Sequence, residues 1–314
     1  MKTIKIGTRG SRLAMWQAEY VRAHLAEKLP HATPEIITIS TQGDRVQDLT
    51  LFEKGDKGLF TREIESALLS GEIDLAVHSA KDLPTVLPEG LCVGAFTERE
   101  KVQDVLVLPE GVTWNGFPEN ACIGTSSLRR KAQLLHRHPG LSIEPIRGNV
   151  DTRIRKLDEG QFDGIILARA GMKRLGFADR ISAVLDMDLV LPAVGQGALA
   201  LEIREGDDAV GDAMDVLRHE TSEAALIAER ALLHELEAGC RAPVGAWARI
   251  EGEVLRMDAM VADPDGKRLV RDRLEGRPAD AEALGRKLAR QLIDAGAAAI
   301  LEPLLEKRKA SPND

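Results

Sequence analysis

The chain has 314 residues, 44% of them hydrophobic and 29% charged, a balance typical of a globular protein and not of a disordered or fibrous one. This length suffices for two or three domains with their own cores, which excludes a single small module. The 42 Lys and Arg against 50 Asp and Glu give a net charge of −8, and aromatic residues make up only 3%. Both values argue against nucleic acid as the main partner, and the charge also argues against an anionic membrane surface.

The N-terminal sequence MKTIKIGTRGSRLAMW reaches an Arg-Gly turn before a signal-type apolar core could form, and no run of about 18 apolar residues occurs. We therefore expect a cytoplasmic protein without a membrane partner. Cys92, Cys122 and Cys240 lie far apart, which suits a reducing compartment and offers no zinc spacing such as C-x-x-C. The sequence therefore predicts no metal site.

The first hundred residues alternate short apolar runs with helical patterns. Strands are predicted over 3–7, 36–40 and 73–77, and helices over 11–29 and 59–69. This βαβα order predicts a sheet of mostly parallel strands.

The same order begins again near residue 99. It predicts strands over 104–108, 122–124, 143–146 and 164–168 and helices over 127–136 and 150–157. Two α/β lobes in succession predict a cleft between them, and ligands of open α/β sheets bind beyond the carboxyl ends of the strands. Functional residues should therefore follow strands directly.

The last part of the chain has a different pattern. The motif PAVGQGALALEI enters a strand, and a helix over 222–237 precedes three strands with antiparallel alternation and helices over 279–295. The strands are predicted over 244–250, 253–262 and 267–274, and KRKASPND is expected to be a frayed tail. The predicted fold class is α/β, with lobes of residues 1–98 plus 198–219 and 99–197, and a small α+β C-terminal domain of residues 220–314.

Positive charge is concentrated in the second predicted lobe. Residues 121–180 contain 12 Lys and Arg against 6 Asp and Glu, a local balance of +6. The cations follow strands, at positions predicted to face the mouth of the cleft, which suits a polyanionic small ligand. They are Arg129, Arg130, Arg147, Arg153, Arg155, Lys173 and Arg174.

The segment IGTSSLRR resembles an anion seat, because a strand and a glycine turn lead through three hydroxyls into a helix N-terminus. An ordinary helix cap followed by solvated arginines is the alternative. A strand also leads into a glycine at Arg147-Gly148-Asn149. This second arrangement of the same kind adds further hydrogen-bond donors and favours a binding site. The hydroxyls are those of Thr125, Ser126 and Ser127, and the two arginines are Arg129 and Arg130.

Polar residues appear abruptly after the strand predicted over 73–77. Asp82 lies beside Lys81, whose charge would keep the carboxylate ionised for stabilising a cation or relaying a proton. A simple turn cap is the alternative for Asp82. His78 is expected to be a partly buried histidine with a satisfied hydrogen bond and not a catalyst.

Cys240 differs from the other cysteines. Cys92 and Cys122 lie in apolar strand sequences and are expected to be core residues. Cys240 lies in EAGCRAPVG, after a helix and beside Arg241, which favours the thiolate. A nucleophile or attachment point and an inert loop thiol both remain open.

Several of these motifs together resemble one family, porphobilinogen deaminase, in the same order and over nearly the whole chain. They are GTRGSRLAMWQA, DKGLF, AVHSAKDLP, IGTSSLRR, IRGNVDTR, ILARAGMKRLG, LPAVGQGALALE and EAGCRAPVG.

The resemblance implies a transferase of tetrapyrrole and heme biosynthesis. The family joins four porphobilinogen molecules head to tail, releases four ammonia and hydrolyses the product off as hydroxymethylbilane. It implies two periplasmic-binding-protein-like lobes with a cleft and a third domain, in which Cys240 holds a dipyrromethane cofactor by a thioether bond. A monomer is expected, because no exposed apolar helix face is evident in the sequence.

The resemblance also implies roles for individual residues. Asp82 corresponds to the family's catalytic aspartate, where a carboxylate can stabilise the electron-poor azafulvene left by ammonia loss, and Lys81 is its neighbour. The expected cofactor-binding residues are Cys240, Ser79, Lys81, Asp82, Thr125, Ser126, Ser127, Arg129, Arg130, Arg147 and Asn149. The expected substrate-binding residues are Arg9, Ser11, Gln17, Arg153, Arg174 and, in a mobile loop, Lys57.

The sequence departs from the family pattern at three positions near these residues. Gly10 stands where a Gln or Glu is expected, Arg12 where Pro is usual, and Asp151 where several members have Gly. Arg12 could therefore be an additional cation of the cleft.

Two other functions would fit parts of the sequence. A two-lobed binder of a carboxylate ligand would need neither Cys240 in a third domain nor Asp82 at the cleft. A cysteine hydrolase would need a basic partner near Cys240, and the sequence offers no convincing one.

Overall fold

The computed structural model describes residues 2–42, 61–239 and 242–309. The strands in these residues are β1 (Lys2–Thr8), β2 (Ala32–Thr38), β3 (Leu75–Ser79), β4 (Leu91–Phe96), β5 (Asp104–Val107), β6 (Cys122–Gly124), β7 (Ser142–Glu144), β8 (Gly164–Ala168), β9 (Ala183–Val184), β10 (Leu199–Arg204), β11 (Val244–Glu251), β12 (Val254–Ala262) and β13 (Leu269–Gly276). The α-helices are α1 (Arg12–Lys28), α2 (Arg62–Leu69), α3 (Leu128–Arg137), α4 (Val150–Asp158), α5 (Arg169–Arg174), α6 (Gly211–Leu217), α7 (Glu220–Glu235), α8 (Ala281–Leu292) and α9 (Ala298–Lys309).

The first lobe is built on a five-stranded sheet with the order β2-β1-β3-β10-β4. The pairs β1–β2 and β1–β3 are parallel, whereas β10 pairs antiparallel with β3 and β4. Helix α1 begins after Ser11, whose side chain accepts a hydrogen bond from the Ala14 N–H, and it buries Ala18, Val21 and Leu25 against this sheet. Four of the five strands thus run in the same direction, so the prediction of mostly parallel strands is confirmed, and β10 runs opposite to them.

The second lobe repeats this topology with the order β7-β6-β8-β5-β9. Strand β6 runs parallel to β7 and β8, and β5 runs antiparallel to β8 and β9. Each lobe contains one antiparallel strand, which is β10 in the first lobe and β5 in the second. The chain enters this strand after it crosses from the other lobe. Each crossing therefore reverses the strand direction, which the alternation of strands and helices did not predict.

The two crossing segments, between β4 and β5 and between β9 and β10, lie against each other. The N–H of Glu100 donates to the carbonyl of Gly197 over 3.2 Å. Gly197 has φ +99°, and a Cβ there would lie 2.5 Å from the Glu100 oxygen, so the close approach requires glycine. The crossings thus form one junction between the lobes.

The C-terminal domain packs helices on one face of the antiparallel sheet β11-β12-β13. Its core contains Leu232 on α7, Leu255 on β12 and Leu288 on α8, all fully buried. After α8 the chain kinks at Gly296, whose φ is +107°, and continues as α9. The prediction of a frayed tail from residue 307 is therefore wrong for its first three residues, because α9 continues to Lys309.

The bounds of β6 and β8 coincide with the predicted strands, and most other elements differ by a few residues. Strand β2 begins at Ala32, four residues before the predicted strand, because Pro34 lies within it. The proline is tolerated because β2 is an edge strand. Among the helices of the described residues, none is long and apolar enough to cross a membrane.

Candidate active site

Asp82 and Lys81 lie on a single 3₁₀ turn, Ala80–Asp82, that follows β3 directly. The Asp82 side chain is exposed, whereas Lys81 is half-buried. Burial lowers the pKa of the Lys81 ammonium, and the nearby Asp82 and Asp104 carboxylates partly oppose this effect. The predicted position of both residues after a strand of the first lobe is confirmed.

The segment that returns from the second lobe holds this turn. The Ala80 N–H donates to the Ala198 carbonyl over 3.0 Å. Gly195 has φ +78°, and a Cβ there would lie 2.8 Å from the Ala80 carbonyl carbon and 2.9 Å from the Lys81 nitrogen. The turn that carries Asp82 therefore packs directly on the crossing segment, at a distance that only glycine allows.

An arginine of the C-terminal domain holds the other end of the turn. Arg230 on α7 donates to the carbonyls of Leu83 at 3.3 Å, Pro84 at 2.7 Å and Thr85 at 3.4 Å. Burial lowers the pKa of Arg230 to about 10. The segment after Asp82 is thus fixed from a different domain than the strand before it.

Ser79 and His78 at the end of β3 make different contacts. Gln17, buried in α1, donates to the Ser79 hydroxyl over 2.7 Å, so two expected site residues are adjacent. His78 is buried, and its Nε2 lies 2.9 Å from the Glu202 carboxylate. The expectation of a buried, hydrogen-bonded His78 is confirmed.

The three hydroxyls before α3 all take part in local hydrogen bonds. The Thr125 hydroxyl accepts from the Ser127 N–H at 3.3 Å, and the Ser126 hydroxyl donates to the Ile146 carbonyl at 2.7 Å. Ser127 is the N-cap, with its hydroxyl 3.5 Å from the Arg130 nitrogen. The alternative of a helix cap is thus confirmed for Ser127, and the cap fixes the direction of the helix that carries both arginines.

Arg129 and Arg130 are buried, and both contact Asp104, the first residue of β5. Arg129 Nη1 lies 2.8 Å from Asp104 Oδ2, and Arg130 Nη2 lies 2.8 Å from Asp104 Oδ1. Burial alone would raise the pKa of Asp104, but the two guanidinium groups outweigh it and hold that pKa well below its usual range. The prediction of arginines at the cleft mouth is therefore wrong for this pair, because a buried carboxylate draws them inward.

Charges from both lobes form one cluster, which we define as Lys81, Asp82, Asp104, Arg129, Arg130 and Arg153. Burial lowers the pKa of Arg153 to about 10; nearby Arg130 acts in the same direction, and Asp82 opposes both. Burial also lowers the pKa of Arg129. The cluster holds four cations and two carboxylates, so its charge is positive.

Glycine shapes the start of α4. Gly148 has φ +112°, and the half-buried Arg153 donates from Nε to its carbonyl over 2.8 Å. Asn149 is the exposed N-cap of the helix, without a side-chain capping bond, and Arg147 is half-buried before it. Arg155 is exposed and forms an ion pair with Glu159, the residue that follows α4.

The N-terminal part of α1 contacts the second lobe. The Arg174 guanidinium lies 5.5 Å from the Trp16 ring centroid and donates to the Gly197 carbonyl over 2.7 Å. Arg12 pairs with Asp151 and donates to the Leu175 carbonyl over 3.2 Å. Two of the three departures from the family pattern thus contact each other across the lobes.

The remaining predicted residues are placed as follows. Arg9 is half-buried just after β1, and Ser11 caps α1. Lys173 forms an exposed ion pair with Glu100. Cys92 and Cys122 lie in strands as predicted, but they are only half-buried, and burial raises the pKa of both thiols. Lys57 and Cys240 lie outside the described residues.

Sequence reasoning missed Asp104, Gln196 and Arg230. Asp104 is an acidic residue at the head of an apolar strand, and that signal was available. Gln196 donates to Asp104 Oδ1 at 2.9 Å and to the Val102 carbonyl at 2.6 Å, but only the fold brings it there. The same holds for Arg230, which is 148 positions from Asp82 in the numbering.

Two family models match the chain. The first, "Porphobilinogen deaminase, dipyromethane cofactor binding domain", matches residues 4–212. The second, "Porphobilinogen deaminase, C-terminal domain", matches residues 224–294.

Curated relatives match nearly the full length. A porphobilinogen deaminase of Trichlorobacter lovleyi is 48% identical over 309 residues, 98% of this chain and 99% of that protein. One of Pelotomaculum thermopropionicum is 49% identical over 301 residues, 96% of each chain. A crystal structure of the Bordetella pertussis BvgS periplasmic VFT2 domain is similar with a TM-score of 0.42 and 16% identity, over 68% of this chain and 86% of that one.

Proposed function

The chain belongs to the porphobilinogen deaminase family, and on that premise we propose that the charge cluster between its lobes binds and condenses porphobilinogen. The activity of the family is the stepwise head-to-tail condensation of four porphobilinogen molecules with loss of ammonia, followed by hydrolytic release of hydroxymethylbilane. The observation that carries the assignment of the site is a surplus of buried and half-buried cations around one exposed carboxylate, Asp82.

The described residues fit the dipyrromethane cofactor of the family. Its acetate and propionate groups are anions, and the charge cluster holds more cations than carboxylates. The Nε–H groups of Arg129 and Arg130 are buried, with no acceptor among the described residues, so they are donors that carboxylates would satisfy. When bound, the cofactor supplies the pyrrole carbon to which the first substrate is joined.

Residues of both lobes would hold this cofactor, and Cys240 would attach it. Besides Cys240, they are Ser79, Lys81, Asp82, Thr125, Ser126, Ser127, Arg129, Arg130, Arg147 and Asn149. Carboxylate recognition favours arginine, because its guanidinium presents two parallel N–H donors.

The incoming substrate is also a carboxylate, and we assign it to the cations and polar groups around the cluster. They are Arg9, Ser11, Gln17, Arg153, Arg174 and Lys57. Arg153 supports this assignment, because burial disfavours its charged form and a bound carboxylate would stabilise that form.

Asp82 acts on the charge that develops during the reaction. Loss of ammonia from the aminomethyl group leaves positive charge on the substrate, and a fixed carboxylate stabilises it better than any neutral side chain. Asp82 also accepts and returns the proton that moves as the new carbon bond forms. Lys81 balances the Asp82 charge when substrate is absent.

The proposed domains are residues 1–98 plus 198–219, 99–197, and 220–314. The chain leaves the first sheet after Phe96 and returns to it at Leu199, which supports the first two divisions. We further propose that the protein is a cytoplasmic monomer.

Replacing Asp82 with Asn tests the proposed site. The side chain is exposed, so the variant should have the same unfolding temperature as the unmodified protein. Its turnover should fall by roughly a thousandfold, because the carboxylate is lost. Turnover is measured on protein whose adduct is confirmed by intact mass. The control is Glu89→Gln, an exposed carboxylate on the same segment, which should keep parent turnover. Near-parent turnover of a loaded Asp82→Asn enzyme would refute the role of Asp82.

A further inference from the structure

Among the described residues, Asp104 is the carboxylate that contacts two arginines of the charge cluster. Each of its oxygens lies 2.8 Å from a different guanidinium, Oδ2 from Arg129 and Oδ1 from Arg130. Oδ1 also accepts from Gln196 over 2.9 Å, and Asp104 is fully buried. One side chain therefore sets the relative position of both guanidinium groups.

Backbone carbonyls complete the fixation of the two arginines. Arg129 Nη1 also donates to the Leu191 carbonyl, and Arg130 Nη1 donates to the Ile166 carbonyl over 2.8 Å. These contacts come from β8 and from the segment after β9, so three separate parts of the second lobe hold the pair. Such an arrangement leaves the long arginine side chains little rotational freedom before any ligand arrives.

In the part of the chain that the structure describes, the charges of Asp104, Arg129 and Arg130 do not balance. Two buried guanidinium groups share one carboxylate, and neither Nε–H has an acceptor among the described residues. An ion pair that served only stability would match one charge with one, because uncompensated buried charge is costly. The remaining positive charge, next to Lys81 and Arg153, points to an anionic partner.

Asp104 also lies where the two crossing segments meet. Gln196 belongs to the returning segment, and it donates both to Asp104 and to the Val102 carbonyl of the outgoing segment over 2.6 Å. Through Asp104 and Gln196, the position of the two arginines thus depends on the junction between the lobes as well as on their own helix.

We propose that Asp104 is a positioning residue for carboxylate binding, which holds Arg129 and Arg130 as one rigid pair toward the cofactor's acid groups. It acts through the arginines and touches no reacting atom. This inference rests on the proposed function, in which the same arginines bind the cofactor.

The test compares Asp104→Asn, Arg130→Lys and the double variant. Each protein is incubated with porphobilinogen; intact mass gives the fraction that carries the adduct, and kinetics of the loaded protein give KM and kcat. We expect Asp104→Asn to lower the loaded fraction and raise KM about tenfold, with a smaller change in kcat, because a lost supporting group weakens binding more than chemistry. In the double variant, KM should rise little beyond that of Arg130→Lys, since both changes disturb one unit.

A second variant covers the case in which Asp104→Asn does not fold. Asp104→Glu keeps the charge, but its extra methylene displaces both guanidinium groups, so KM should still rise. The matched control is Glu202→Gln, a fully buried carboxylate paired with His78, which should lower the unfolding temperature and leave KM at the parent value.

Different outcomes overturn different claims. The positioning role would be overturned if Asp104→Asn and Asp104→Glu kept the loaded fraction and KM of the unmodified protein while Arg130→Lys was impaired. The proposed function would then remain intact. Additive effects of Asp104→Asn and Arg130→Lys on KM would do the same. Parent values for Arg130→Lys itself would refute the cofactor-binding role of the arginine pair, and the inference with it.

Discussion

At the scale of single residues, Lys81 shows how the two lobes share one electrostatic site. It lies on the first lobe, yet Arg129 and Arg130 of the second lobe lower the pKa of its ammonium and Asp104 raises it. Burial is the largest cause of the lowered pKa. Burial disfavours the charge of Lys81, Arg129 and Arg153, and a bound polycarboxylate would offset this cost.

Arg153 and Arg155 allow a matched test of this view on one helix. Arg153 belongs to the charge cluster, whereas Arg155 is exposed and pairs with Glu159. Arg153→Gln should remove a charged hydrogen bond to substrate of about 1.5–3 kcal/mol, which raises KM for porphobilinogen about 10- to 100-fold. Arg155→Gln should leave KM unchanged. Equal KM values for the two variants in steady-state kinetics would contradict the assignment.

Part of the site was predictable at this scale and part was not. Ser79, Lys81 and Asp82 follow β3 in the sequence, and polar residues after a buried strand indicate a site by themselves. The burial of Arg129 and Arg130 was not predictable, because it depends on Asp104, more than 20 positions away. A long-range carboxylate decided whether these cations face water.

At the scale of elements, the site depends on a turn packed against a crossing segment. The turn Ala80–Asp82 contacts Gly195 so closely that a Cβ would lie 2.8 Å from its backbone. Arg230 of α7 binds the carbonyls that follow. The carboxylate proposed to be catalytic, Asp82, is thus exposed, but its backbone is held by two other elements.

Gly195→Ala should disturb this turn. Its φ of +78° makes any side chain unfavourable by about 1–2 kcal/mol, and the Ala80 backbone adds a clash. Gly206 has φ +69° with nothing within 4 Å of a Cβ, so Gly206→Ala carries the backbone cost alone. We expect both variants to be destabilised in calorimetry, Gly195→Ala more strongly, and only Gly195→Ala to lose kcat. A parent kcat for Gly195→Ala would show that the contact does not position Asp82.

Elements were predicted best where periodicity is undisturbed. Strands β6 and β8 have the predicted bounds, whereas Pro34 hid the start of β2. Helices α5 and α6 were not predicted, since they have six and seven residues, too few for a clear helical period, and each contains a glycine. The directions of β5 and β10 were not predicted, because they follow from the crossings between the lobes.

At the scale of the whole molecule, a buried ion pair joins the C-terminal domain to the two crossing segments between the lobes. Arg99 on the outgoing crossing segment binds Glu229 of α7 through two contacts, at 2.6 and 3.0 Å. Glu229 also accepts from the N–H groups of Gly195 at 2.8 Å and Ala248 at 2.7 Å. The C-terminal domain is therefore fixed to the junction on which the lobes meet.

Removing the charge of Glu229 should weaken this junction. Glu229→Gln leaves Arg99 buried without its counter-charge, which costs about 3–5 kcal/mol and lowers the unfolding temperature. Asp158→Asn, which breaks the more exposed pair with Arg180, should cost less than about 1 kcal/mol. Calorimetry of both variants measures the difference. Equal small losses would mean that the buried pair contributes little to joining the domains.

The covalent cofactor is the central claim, and the intact mass of the denatured protein tests it most directly. We expect the mass of the chain plus one dipyrromethane, an adduct mapped to the peptide that contains Cys240, and its loss in Cys240→Ala. An unmodified chain that stays unmodified after incubation with porphobilinogen would contradict this account.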